Sequence, residues 1–174
     1  MRIAVGTHLV TCQKQPALGC VYKLVEINGN ARIKISQDIE KIVIPTRKQV
    51  YRLTGPGVEY PLIDVMQRHD ETPPAVGKRM LCRHPFHENK RAHITPAKVE
   101  PLLRLVWDGV NGGRTEPART IEDVKNYCQS QLNQVREDHM RQLNPTPYKV
   151  SVSVELYDYM HQLWMNEAPI SDLC

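Results

Sequence analysis

The chain predicts an α+β fold. Three observations carry that prediction: a patterned β-hairpin near the N-terminus, a middle in which strand-like runs alternate with proline and glycine, and two amphipathic helices near the C-terminus. In the hairpin, residues 21–27 and 31–36 flank Asn28-Gly29, a dipeptide that accepts the positive φ values of a type I′ turn. Ala31, Ile33 and Ile35 alternate with Arg32, Lys34 and Ser36, so one face is apolar and the other polar. Residues 49–53 read as a third strand, with Tyr51 and Leu53 on a shared face. From 54 to 77 the breakers Gly55-Pro56-Gly57, Pro61 and Pro73-Pro74 mark the best internal boundary. Inside that stretch Leu62, Ile63, Val65 and Met66 predict a short strand or a helical turn.

Further on, residues 78–83 and 91–95 read as a hairpin around the polar loop 85–90. Thr95-Pro96 has the form of an N-cap followed by proline at the first helical position, although Pro101 argues against one uninterrupted helix through Trp107. The loop 110–118, with Gly112-Gly113, leads into the strongest helical signal. There Thr120 and Asp123 form a capping box with aspartate in place of the usual glutamate. Ile121, Val124, Cys128, Leu132 and Val135 recur at spacings of three and four, predicting a helix that runs toward Leu143 and stops before Pro145 and Pro147. Residues 148–152 read as a strand, and Ser153 caps a last helix carrying Leu156, Met160, Leu163 and Trp164.

Composition excludes several classes. At 174 residues, with 41% hydrophobic and 24% charged residues and a mean hydropathy of -0.46, the chain belongs with soluble globular proteins. It has no apolar run near the ~20 residues of a membrane helix and no secretory signal peptide, so the expected location is cytoplasmic. Five cysteines at irregular spacing predict reduced thiols rather than a disulfide framework. The net charge of +4 favours anionic partners without naming one.

The candidate binding residues are Gly6 and Thr7. Gly6 lacks a Cβ, so backbone can approach a ligand closely, and Thr7 adds a hydroxyl beside its amide, a donor arrangement that suits a phosphate. The run Gly6-Thr7-His8-Leu9-Val10-Thr11-Cys12, then Gln15-Pro16-Ala17-Leu18-Gly19 and Val21-Tyr22-Lys23-Leu24-Val25, resembles the last barrel segment of nicotinate phosphoribosyltransferases, in particular the animal-type branch. Lys34-Ile35-Ser36, Lys41, Pro45 and Lys48-Gln49-Val50-Tyr51-Arg52 extend the likeness, and 95–105 resembles the family's C-terminal domain. Two departures stand out. Arg2-Ile3-Ala4-Val5 precede Gly6 where the family has Phe-Gly-x-Gly-Thr, so residues 1–5 read as the product of a truncated gene model or a spliced form. Thr46 replaces a glycine of the family at a turn that requires positive φ.

The resemblance implies the C-terminal part of such an enzyme: residues 1–19 ending an α/β barrel with its phosphate loop, 20–76 a β-rich segment, and 77–174 a small α+β domain. It implies formation of nicotinate mononucleotide from nicotinate and phosphoribosyl pyrophosphate, with ATP and Mg as co-substrates of the full enzyme, and a homodimer. Gly6 and Thr7 then hold a substrate phosphate. The family's catalytic histidine and its nicotinate-binding arginine have no match here, so no catalytic residue is expected in this chain and the chain alone is expected to be inactive. The alternative is a non-catalytic interaction or regulatory module.

Two other constellations carry less. Cys82, His84, His87 and His93 form a Cys-x-His-x2-His-x5-His set, but without the paired spacings of structural zinc sites, so no metal is expected. Lys78, Arg79, Arg83, Lys90, Arg91 and Lys98 make a basic stretch with only Phe86 interleaved, too few aromatics for a stacking platform. No nucleic acid is expected as a partner.

Overall fold

Strand formation follows the alternation of apolar side chains, and in the computed structural model, which describes residues 14, 21–36, 38 and 41–168, it yields one central sheet of six strands. These are β3 (Lys48–Thr54), β4 (Pro61–Arg68), β5 (Met80–Arg83), β6 (Arg91–Ile94), β7 (Lys98–Pro101) and β10 (Lys149–Val152). Their order is β6-β5-β10-β4-β3-β7, with every neighbour antiparallel except β10 and β4, which run parallel. Two small ribbons flank the sheet: β1 (Glu26–Ile27) with β2 (Asn30–Ala31), and β8 (Trp107–Asp108) with β9 (Gly113–Arg114). Helices α1 (Ile121–Leu132) and α2 (Val154–Glu167) complete the α+β architecture.

The register places Leu53, Ile63, Val65 and Cys82 on one face, all buried, with Tyr51, Met80, Ile94 and Val99 packed around them. The opposite face carries Met66 and Val152, which pack with Leu156 and Tyr157 of α2. The Arg83 guanidinium lies 3.8 Å from the centre of the Tyr157 ring on that face. α2 starts as its sequence predicts, the Ser153 Oγ accepting from the Leu156 N–H at 3.0 Å.

The stretch read as an internal boundary contains a central strand, one of the two elements expected within it. Pro61 stands at the first position of β4, where a missing N–H is tolerated, and the Gly55-Pro56-Gly57 breakers serve only as the turn between β3 and β4. The expected division at residues 76 and 77 lies between β4 and β5, which β10 bridges within the sheet. A second difference lies at Thr95-Pro96, where no helix forms: the Ala97 N–H donates to the Thr54 carbonyl at 2.8 Å and 98–101 pair with β3. Pro101 fits because β7 is an edge strand.

Asn28 and Gly29 adopt φ values of 50° and 76°, as the type I′ reading requires, but regular pairing is confined to two residues on each side. In α1 the capping box is formed: Thr120 Oγ1 accepts from the Asp123 N–H at 3.1 Å, and the Asp123 carboxylate accepts from the Thr120 N–H at 2.9 Å. The helix ends at Leu132 rather than near Leu143. None of its residues is buried, so it lacks the tertiary packing that sustains a long helix. A 3₁₀ turn at Glu137–His139 follows.

Thr46 sits at a φ of 69°, so the turn keeps its left-handed form despite the loss of glycine. The Lys48 ammonium holds it, donating to the Ile44 and Pro45 carbonyls at 2.8 and 3.1 Å. Burial lowers the Lys48 pKa, partly offset by Glu26. Left-handed backbone costs an L-residue ~1–2 kcal/mol, while glycine there loses up to ~1 kcal/mol in the unfolded chain. Thr46→Gly should therefore stabilise the chain by about 0.5 kcal/mol in urea denaturation. A loss above ~1 kcal/mol would show that the Thr46 hydroxyl, which donates to the Arg47 carbonyl at 2.8 Å, outweighs the strain.

Candidate functional site

A network of polar side chains lies on the sheet face that carries Met66 and Val152. Arg52 of β3 and Asp64 of β4 are directly opposite in the ladder. Arg52 donates to Asp64 through two parallel bonds, Nε to Oδ1 and Nη2 to Oδ2, both 3.0 Å. Tyr148, just before β10, donates its hydroxyl to Asp64 Oδ1 at 2.9 Å, and Arg52 Nη1 reaches Gln131 Oε1 on α1 at 3.3 Å. A single carboxylate thus ties β3 and β4 to the residue that precedes β10, and its cationic partner reaches the helix.

Charge and burial reinforce the arrangement. Hydrogen bonding to Asp64 raises the Arg52 pKa above its ordinary value, so the guanidinium is permanently charged. Burial, then the bond to Asp64, pushes the Tyr148 phenol upward as well, so it stays a donor at neutral pH. Above this clamp α1 encloses a cavity of about 570 Å³, walled by Val124, Tyr127, Leu132 and Val135. One side-chain bond, Arg52 to Gln131, links this helix to the sheet, and the helix offers an apolar surface beside it. Arg52, Asp64 and Tyr148 are committed to one another, so the clamp is a positioning device.

Asp64 and Arg52 were not singled out by sequence, although a signal exists: Asp64 is the one charge in the run Leu62-Ile63-Asp64-Val65-Met66. Gly6 and Thr7, the predicted phosphate-binding pair, lie outside the described residues. The Cys82/His84/His87/His93 set does not converge. Cys82 points into the core, its thiol pushed up to about 11 by burial, while His93 pairs with Leu81 and faces the other side of the hairpin. Of the cysteines among the described residues, Cys82 and Cys128 are both free thiols.

Comparison with known proteins agrees across sequence and fold. Residues 47–160 match the family model described as the nicotinate phosphoribosyltransferase C-terminal domain. The chain is similar to "Nicotinate phosphoribosyltransferase 1" of Arabidopsis thaliana, 54% identical over 97% of this chain and 30% of that protein. The Dictyostelium discoideum nicotinate phosphoribosyltransferase is 49% identical over 98% of the chain and 30% of its own length. The crystal structure of human nicotinic acid phosphoribosyltransferase superposes with a TM-score of 0.69 and 31% identity, over 84% of this chain and 27% of that one. The chain thus spans about 30% of the length of the curated relatives it matches.

Proposed function

Because the chain belongs to the nicotinate phosphoribosyltransferase C-terminal domain family, we propose that it serves as the C-terminal portion of an enzyme joining nicotinate to phosphoribosyl pyrophosphate. The products are nicotinate mononucleotide and pyrophosphate, a step in NAD biosynthesis, with ATP and Mg as co-substrates. The observation that carries this reading is the joint match of sequence over 47–160 and of fold to the human enzyme. In this reading Gly6 and Thr7 grip a substrate phosphate through backbone N–H groups and the Thr7 hydroxyl. Substitution at an anomeric carbon depends on orientation and charge stabilisation, so a phosphate grip contributes directly to rate. The enzyme acts as a cytoplasmic homodimer and takes no nucleic acid. Among the described residues no helix is long and apolar enough to cross a membrane.

Two assays test the reading. The purified chain, given nicotinate, phosphoribosyl pyrophosphate and ATP, should form no nicotinate mononucleotide, because a single phosphate grip cannot orient both reactants; measurable turnover refutes this. In a full-length enzyme carrying the segment, Thr7→Ala removes a donor to a charged phosphate, worth ~1.5–3 kcal/mol, and should weaken use of phosphoribosyl pyrophosphate roughly tenfold to a hundredfold. Nicotinate affinity should change less. A Thr7→Ala enzyme with unchanged affinity for phosphoribosyl pyrophosphate but reduced thermal stability makes Thr7 a turn residue and removes the phosphate reading.

A further inference from the structure

β10 is paired along its length on one side only. Toward β4 the pairing runs from Lys149 to Val152, whereas toward β5 there is one pair, Val152 opposite Arg83. The Ser153 N–H donates to the Met66 carbonyl at 2.9 Å, so the main-chain groups of Ser151 and Lys149, which share its direction along the strand, also turn toward β4. The N–H and carbonyl of Val150 therefore point the other way, to the β5 side, and among the described residues no strand pairs with them there. A free main-chain edge thus opens inside the sheet as well as at its rims.

Beside that edge lies a cleft of about 570 Å³. The segment 146–151 forms one wall, and His84, Lys90, Arg91 and Ala92 of the β5–β6 hairpin form the other. The hairpin end has its own backbone bonds: the His84 N–H donates to the Lys90 carbonyl at 2.8 Å, and the Lys90 N–H donates to the His87 carbonyl at 3.0 Å. It shapes the cleft without closing the Val150 edge.

The charges beside the edge are divided between the two faces of the sheet. Lys149 stands on the face of Ile63, while Arg91 stands on the opposite face with Arg83 and Val152. Both side chains are exposed, and neither has an ion-pair partner among the described residues, whereas Lys98, elsewhere in the basic stretch, pairs with Glu100 at 3.3 Å. Among the described residues no aspartate or glutamate lines the cleft. Cations on opposite faces do not close on one compact anion. They suit a strand, whose successive side chains alternate between the two faces. Ile63 and Ala92 on the Lys149 face, and Val150 on the Arg91 face, add apolar surface for its remaining side chains.

We propose that the free edge of β10 takes an extended acidic peptide segment of a partner protein, which adds a strand at Val150 and sets adjacent carboxylates against Lys149 and Arg91. In strand addition the main-chain bonds supply affinity and the alternating side chains supply specificity. Here the edge provides the first and the two cations the second. A nucleic-acid strand fits less well, because it has no amide ladder to match the Val150 N–H and carbonyl. The inference uses only described residues and does not depend on the activity proposed above.

Two end-capped hexapeptides of identical composition test the site. In Thr-Val-Glu-Glu-Val-Thr the adjacent glutamates point to opposite faces when extended, and in Thr-Glu-Val-Glu-Val-Thr they share one face. Each is titrated into the isotope-labelled 174-residue chain in about 0.15 M NaCl and followed by NMR. The first should bind saturably and shift the Val150 amide. The second should bind roughly fivefold more weakly, the loss of one exposed ion pair, and Lys149→Ala and Arg91→Ala should each cost the first peptide a similar factor. Both side chains are exposed, so the variants keep their fold, which circular dichroism verifies. Methylating the main-chain nitrogens of both glutamates should abolish binding. The double variant Lys78→Ala/Arg79→Ala removes two exposed cations outside the cleft and should bind as the parent does. The proposal is overturned if the Val150 amide shows no saturable shift, or if the methylated peptide binds as well as its parent. Equal affinity for the two hexapeptides, or an equal loss in the Lys78/Arg79 variant, overturns it as a diffuse charge effect. Tighter binding of single-stranded RNA than of the first peptide overturns it as well.

Discussion

Replacing Leu53 by alanine should lower the unfolding free energy by about 3–5 kcal/mol, read from the midpoint of a urea titration at unchanged slope. Leu53 has no exposed surface and lies against Ile63, Val65 and Cys82, with Tyr51 and Val99 closing the cluster. Its neighbours are strand residues pinned by ladders on both sides of β3, so they cannot collapse into the space left behind. With domain stabilities of ~5–15 kcal/mol, the loss removes a third or more of the whole. Leu53→Met, which keeps the volume, should cost less than ~1.5 kcal/mol. A loss below about 1 kcal/mol for the alanine variant would mean that the core rearranges around the gap.

Asp64→Ala should be nearly as damaging, at about 3 kcal/mol, for a different reason. It removes the acceptor of three hydrogen bonds and leaves the Arg52 guanidinium and the Tyr148 hydroxyl without their partner. Breaking a buried pair costs ~3–5 kcal/mol, and the lower end applies because the Arg52 side chain, 28% exposed, can recruit water. Tyr148→Phe, which removes one bond and leaves the ion pair, should cost only ~1 kcal/mol. A double-mutant cycle separates the effects: Arg52→Ala combined with Asp64→Ala should cost no more than Asp64→Ala alone, since the stranded charge is then gone. Full additivity of the two single losses would show that the residues do not act as a pair.

Elements whose signal is local were legible in the sequence. The Thr120–Asp123 box, the Ser153 cap, the Asn28-Gly29 turn and the 80–83/91–94 hairpin all depend on residues within a few positions of one another. The misreadings fall where tertiary pairing decides. Residues 61–68, where the sequence allowed either a short strand or a helical turn, become a long central strand because partners on both sides decide between the two. Thr95-Pro96 looks like a helix start until β3 provides hydrogen bonds to 98–101. The Arg52–Asp64–Tyr148 clamp was invisible for the same reason, as two of its contacts span 12 and 84 residues. Thr46 shows the converse, a turn whose geometry survives an unsuited residue because Lys48 and the strand after it fix the backbone.

The position of β10 has a consequence for how the chain reaches its fold. The strand that lies in the middle of the sheet is the last of the described strands in chain order, and it pairs in parallel with residues 86 positions earlier, Lys149 with Ile63. Until residues 149–152 arrive, the sheet exists only as two separate antiparallel pieces, β4-β3-β7 and β5-β6, each with an open edge where β10 belongs. Closing so long a loop is entropically slow, and open edges invite pairing with other chains. A nascent chain halted before residue 149 is therefore sticky rather than merely incomplete. The decisive event of folding is the insertion of four residues, Lys149–Val152, which turns two fragments into a single sheet and at the same time sets α2 upon it.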